Sequence, residues 1–135
     1  DNIIKQLILA DKDVRHAKIY LLGLTFKENC PDTRNSRVVD IIQRLAEYGI
    51  SVHVVDPWAD EEAALHEYGG QLTLRSSVQE SDCIALGVAH REFLSLSVEE
   101  IGKLYKAGSK KLFVDVKSAF KPEDFAKEEY AYWSL

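Results

Sequence analysis

The sequence has no methionine, only two cysteines and three prolines in 135 residues, and no apolar run longer than a few residues. Each shortage removes a class of protein. Cys30 and Cys83 are far apart, so they form neither a disulfide framework nor a CxxC metal motif, and a reducing, cytoplasmic setting is the simpler expectation. The short apolar runs fall well below the roughly 20 residues that a membrane-spanning helix needs, and no basic-then-apolar leader opens the chain, so neither a membrane anchor nor a signal peptide is expected. With a net charge of −5 the protein lacks the clustered positive surface that binding to nucleic acid or anionic membrane requires, so its cations must act locally. The four histidines, His16, His53, His66 and His90, never show HxxxH or HExxH spacing, and no metal site is expected. Two glycine motifs are missing as well. Gly23 is followed by LTFKENCPD, too bulky for a pyrophosphate to lie on bare backbone as in GxGxxG, and no GxSxG elbow makes Ser36 a nucleophile rather than a helix cap.

What is present is an alternation of strand and helix signals. At 46% hydrophobic the chain suits one ordinary core. The opening DNIIKQLILADKDV places Ile3, Ile4, Leu7 and Ile8 on one helical face, so residues 1–15 are expected to be the end of a longer helix and residues 16–135 the domain proper. Strands are expected at Lys18–Leu22, Ser51–Val55, Gln71–Leu74, Asp82–Leu86 and Leu112–Val116. Helices are expected at Ser36–Tyr48, after Asp56 and Pro57 (with Asp56 as N-cap), briefly at Ser77–Glu80, and at Leu96–Tyr105, where Ser97 and Glu100 make a capping box. This order predicts a three-layer α/β domain with a mainly parallel sheet of about five strands and helices on both faces.

The most informative stretch is KIYLLGLTFKENCPDTRNSRVV, residues 18–39, a strand that runs through a polar loop into a helix. Such a loop sits at the carboxyl edge of the sheet, where α/β folds bind anions. Lys27 and Arg34 flank Pro31 and Asp32, a pairing suited to phosphate; the competing reading is solvated charge, with Asp32 paired to Arg34. Cys30 lies among these charges but has no neighbouring histidine, and an apolar filler is its simpler role. Asp56 ends the second strand, where a dinucleotide fold keeps its ribose-binding acid; without the glycine fingerprint, the cap reading is favoured. Lys117, just past the last expected strand, falls at the same edge as Lys27, as a ligand contact or a solvated lysine.

GLTFKENCPDTRNS, together with VVDP, VDVK and the terminal YAYW, resembles the carboxyl-terminal domain of the UDP-glucose/GDP-mannose dehydrogenase family over essentially the whole chain, most of all the branch that oxidises UDP-N-acetylhexosamines. The resemblance implies a Rossmann-like domain that closes over a UDP-sugar. In that family an amino-terminal domain binds NAD, and a central helical region carries a catalytic cysteine. The C6 hydroxyl is oxidised to a carboxylate in two NAD-dependent steps through a thiohemiacetal and a thioester. By resemblance, Phe26 and Lys27 contact sugar and diphosphate, Arg34 reaches the NAD pyrophosphate, and Lys117 stands where UDP-glucose enzymes carry a sugar-contacting arginine. Lysine cannot reproduce that arginine's bidentate geometry, a departure consistent with a different sugar. The catalytic cysteine motif is absent and Cys30 does not align with it, so no catalytic residue is expected in this chain. The expected partners are a UDP-sugar, the amino-terminal and central domains of one polypeptide, and further copies of the full-length protein. A stand-alone nucleotide-sensing module is the alternative.

Overall fold

The computed structural model describes residues 5, 8, 16–24, 36–50, 52–68, 72–108, 110–128 and 130–134. Its strands are β1 (Ile19–Leu22), β2 (Val52–Val55), β3 (Leu72–Leu74), β4 (Cys83–Leu86), β5 (Lys111–Asp115) and β6 (Tyr130–Ser134). They form one sheet in the order β3-β2-β1-β4-β5-β6, and every neighbouring pair is parallel. β1 and β4 are the central strands, and both are buried along their whole length, which is why they read as unbroken apolar runs. Between the strands lie α1 (Ser36–Glu47), α2 (Glu61–Tyr68), α3 (Arg91–Leu94), α4 (Val98–Gly102) and α5 (Pro122–Ala126).

The strand period of two sorts the core into two layers. Ile19, Leu21, Val52, Val54, Cys83, Ala85, Leu112 and Val114 face one way and pack with Val38, Ile42 and Leu45 of α1 and Ala64 of α2. Leu22, Ile84, Leu86 and Phe113 face the other way, against Phe93 of α3, Ile101 of α4 and Phe125 of α5. The first two helices thus cover one face and the last three the other, as right-handed crossovers running outward from β1 and β4 require.

Helix α1 is amphipathic: Val38, Ile42 and Leu45 are buried, while Asp40, Gln43, Arg44 and Glu47 are exposed. It ends at Gly49 with φ +77°. There Gly49 N donates to Ala46 O at 2.9 Å and Ile50 N to Leu45 O at 3.0 Å, a Schellman stop that suits a residue without Cβ. Its first residue is Ser36, so the cap position falls one residue earlier, outside the described residues.

Several expectations need correction. The sheet has six strands rather than about five; β6 and α5 were not anticipated, nor was α3. Residues 77–80 are not helical, and Glu80 has φ +49°. The helix expected to reach Tyr105 stops at Gly102. Tyr105 instead forms a parallel bridge with Ser81, and its hydroxyl donates to Leu112 O at 2.6 Å. The predicted capping box is present, with Glu100 N donating to Ser97 Oγ at 3.1 Å and Ser97 N donating to Glu100 Oε1 at 2.8 Å. Of residues 1–15, Lys5 and Ile8 are helical and the others lie outside the described residues.

Candidate functional site at the carboxyl edge of the sheet

The strand order reverses between β1 and β4, so the crevice beyond their carboxyl ends is where an open α/β sheet offers a ligand site. Two glycines shape it. Gly23, with φ +98°, follows β1, and a Cβ added there would lie 2.6 Å from Val88 Cβ and 2.8 Å from Val88 N. Gly87, just after β4, would place a Cβ 2.9 Å from Gly23 O. Gly23 N donates to Val55 O at 3.0 Å, and Gly87 N and Val88 N both donate to Leu22 O, at 2.8 and 3.2 Å. Gly23 is therefore needed for the close approach of two chain segments.

Asp56, at the end of β2, ties three strand exits together. Its Oδ2 accepts from Leu24 N at 2.6 Å and from His90 Nε2 at 3.1 Å, and its Oδ1 accepts from Trp58 N at 2.7 Å. Both side chains of the Asp56–His90 pair have 0% exposure. Burial pushes the Asp56 carboxyl upward, but the bonds from His90, Leu24 and Trp58 outweigh it and hold the pKa below the usual value. This corrects the expectation that Asp56 caps the next helix. Asp60 does so, with its Oδ1 accepting from Glu62 N at 3.1 Å and Ala63 N at 3.3 Å. The physical reason is the turn at Pro57 and Trp58, which delays the helix by a few residues and leaves Asp56 to the β1 exit. His90 was not singled out from sequence. The ring centroid of Phe93 lies 5.6 Å from that of His90 and that of Trp58 6.4 Å from it, while Trp58 Nε1 donates to Glu92 Oε1 at 2.9 Å and Arg91 lies 4.9 Å above the indole.

Lys117 does lie at this edge, in a half-buried position within the turn that leaves β5. Val116 N donates to Leu86 O at 3.1 Å, which ties that turn to the β4 exit. The buried Asp115 closes it, since its Oδ2 accepts from Phe120 N at 2.9 Å and from the Tyr132 hydroxyl at 2.7 Å. Burial and the Asp115 contact push the Tyr132 phenol well above its usual pKa. Phe26, Lys27, Cys30 and Arg34 lie outside the described residues, so the structure brings Lys117 and the roots of their segment, Leu24 and α1, to one edge.

A second concavity of about 330 Å³ lies beside the ends of β2 and β3, lined by Asp56, Ala59, Glu61, Leu74, Arg75 and Ser76. With Glu61 offsetting Arg75, its lining carries no net positive charge and it is a poor anion site. Among the described residues no group of three or more His, Cys, Asp or Glu side chains could hold a metal ion, and no helix is long and apolar enough to cross a membrane.

Residues 20–122 match the UDP-binding domain of the UDP-glucose/GDP-mannose dehydrogenase family. The chain belongs to that family. Its relatives there include the UDP-N-acetyl-D-glucosamine 6-dehydrogenase of Pseudomonas aeruginosa, 49% identical over 78% of this chain and 25% of that protein. The UDP-N-acetyl-D-mannosamine dehydrogenase of Methanococcus vannielii is 36% identical over 82% of this chain and 25% of its own length. The chain thus spans about a quarter of these dehydrogenases. The fold is shared with the NDP-N-acetyl-D-galactosaminuronic acid dehydrogenase of Methanosarcina mazei, with a TM-score of 0.81 at 21% identity over 98% of this chain and 27% of that one.

Proposed function

We propose that the chain is the carboxyl-terminal, nucleotide-sugar-binding domain of an NAD-dependent UDP-sugar 6-dehydrogenase. Its substrate is a UDP-N-acetylhexosamine, whose C6 hydroxyl the whole enzyme oxidises to a carboxylate in two steps, for polysaccharide precursor synthesis. The observation that carries this reading is the match of residues 20–122 to the UDP-binding domain. Residues 1–15 end the central connecting helix, and the catalytic cysteine belongs to the central region of the same polypeptide. The full-length protein is a cytoplasmic homo-oligomer, and this domain alone does not catalyse.

In this scheme Lys27 neutralises diphosphate charge, Phe26 shapes the sugar pocket, and Lys117 contacts the sugar from the β5 turn. Arg34 reaches the pyrophosphate of NAD across the interdomain cleft. The rest of the NAD site does not fit this domain. Gly23 is crowded by Val88 and the Asp56 carboxylate is occupied by Leu24, Trp58 and His90, so neither serves a dinucleotide.

The test is calorimetric titration of the full-length protein and of this domain with UDP-N-acetylglucosamine. Lys27→Ala in the full-length protein is expected to weaken binding by about 1.5–3 kcal/mol, the range for a hydrogen bond to a charged group. Unchanged affinity removes Lys27 from the site. Tight binding by the domain alone supports a stand-alone sensor, and binding by neither protein defeats the reading.

A further inference from the structure

We propose that Asp56 and His90 are positioning residues that fix the root of the segment carrying Lys27 and Arg34. The inference rests on the reading just given for those two cations and goes beyond it, because neither Asp56 nor His90 needs to touch the ligand. Leu24 is the last described residue before that segment, has 0% exposure, and gives its backbone N–H to Asp56 Oδ2 at 2.6 Å. The same oxygen accepts from His90 Nε2 at 3.1 Å, while Oδ1 is held by Trp58 N at 2.7 Å, so the carboxylate cannot rotate away from Leu24 without losing partners. His90 is itself fixed, with its N–H on Val88 O at 2.9 Å and its C=O accepting from Phe93 N at 3.0 Å. One carboxylate therefore sets the β1 exit relative to β2 and β4. At the other root, Val38 of α1 is fully buried, and its Cγ2 would be 3.2 Å from a Cβ added at Gly87.

The chemistry favours positioning over simple cohesion. An ionised carboxylate at a site with no side-chain exposure carries a desolvation penalty that an apolar residue avoids, so the pair is an inefficient way to stabilise a fold. It is an effective way to fix a direction, because charge-assisted hydrogen bonds in a low-dielectric setting are strong and geometrically demanding. Anchoring the root of a ligand-contacting segment limits the conformations that binding must remove.

The experiment uses the full-length protein and measures KM and kcat with UDP-N-acetylglucosamine, together with the Kd for UDP, well below the unfolding temperature of each variant. Asp56→Asn replaces one acceptor by a donor facing backbone N–H groups, and is expected to raise KM and the UDP Kd roughly tenfold while lowering kcat much less. His90→Ala should behave alike, and His90→Gln, which keeps a donor, should recover part of the loss. Because Asp56 acts through the segment that bears Lys27, Asp56→Asn combined with Lys27→Ala should bind UDP little more weakly than Lys27→Ala alone. A merely structural role would lower thermal stability in all these variants and leave UDP affinity of the folded protein unchanged, which overturns the proposal. Full additivity with Lys27→Ala overturns it too, as does failure of both Asp56→Asn and His90→Gln to fold. Should the unsubstituted protein bind no UDP, the functional reading itself fails; if it binds and only the coupling is missing, the positioning role alone is lost.

Discussion

Three glycine-to-alanine substitutions separate two costs that Gly23 combines. Alanine at Gly23 must adopt φ +98° and must also fit a methyl group 2.6 Å from Val88 Cβ, against backbone that cannot swing aside. The left-handed conformation costs about 1–2 kcal/mol and overpacking about 1–3 kcal/mol, for a sum of about 2–5 kcal/mol. Gly49 has φ +77° with nothing within 4 Å of an added Cβ, so Gly49→Ala carries the conformational cost alone, about 1–2 kcal/mol. Gly87, outside the positive-φ region, carries the steric cost alone, from Gly23 O at 2.9 Å and Leu21 Cδ1 at 3.0 Å. Urea unfolding of each variant, followed by tryptophan fluorescence and far-UV circular dichroism, gives the three values. The expected order is Gly23→Ala worst, with a loss close to the sum of the other two. If Gly23→Ala costs no more than Gly49→Ala, the crossing of the β1 and β4 exits tolerates a methyl group, and the glycine is required for its backbone conformation alone.

Three further outcomes follow from single contacts. Ser97→Ala breaks the capping box of α4 and should destabilise the domain by about 1 kcal/mol in the same unfolding assay, with Ser97→Thr nearly neutral. Tyr132→Phe removes one of two described donors to Asp115 Oδ2, while Oδ1 of that buried carboxylate has no partner among the described residues; a loss of about 1.5–3 kcal/mol is expected, and a neutral result would mean the turn at Lys117 is held otherwise. Acid should weaken the fold in two windows, because both groups bind protons more readily when unfolded. His53, lowered by burial and by Arg75 and Lys18, gives up its contribution as pH falls below about 6.5, whereas Asp56 keeps its own until pH drops below its unfolded value of 3.8 towards its lower folded value. His53→Gln should flatten the pH 7-to-5 part of the urea midpoint curve and leave the lower part in place.

The elements legible in the sequence are those whose signal is local. β1 and β4 are continuous apolar runs, α1 pairs a buried stripe with a glycine stop, and Ser97–Glu100 is a complete capping box within four residues. β6 is not of that kind. Tyr130, Ala131, Tyr132 and Trp133 are all half-buried, so the strand lacks the alternation that marks one, and it depends on partners outside itself: β5 for its ladder and Phe113 and Phe125 for the ring of Tyr132, with centroids 6.1 and 4.6 Å distant. The Asp56–His90 pair spans 34 residues and becomes visible only once β2, β1 and β4 are known to be neighbours. Lys117 could be placed from sequence because it lies two residues past a strand whose neighbours share its direction.

The strand order matches that of dinucleotide-binding domains, and the two positions such domains devote to the dinucleotide are both present as residue types: a glycine after β1 and an acid after β2. Neither is available to a ligand here. The glycine is occupied by Val88 and the acid by Leu24, Trp58 and His90. Topology and residue type alone therefore point to positions that the structure shows filled, because the same hydrogen-bonding groups are turned inward to hold the strand exits together. The cations proposed to face the ligand, Lys27, Arg34 and Lys117, follow β1 and β5 in sequence, and the inward-turned groups hold Leu24, the last described residue before the first two. If that proposal holds, the same contacts that close the dinucleotide positions also anchor the segment that bears Lys27.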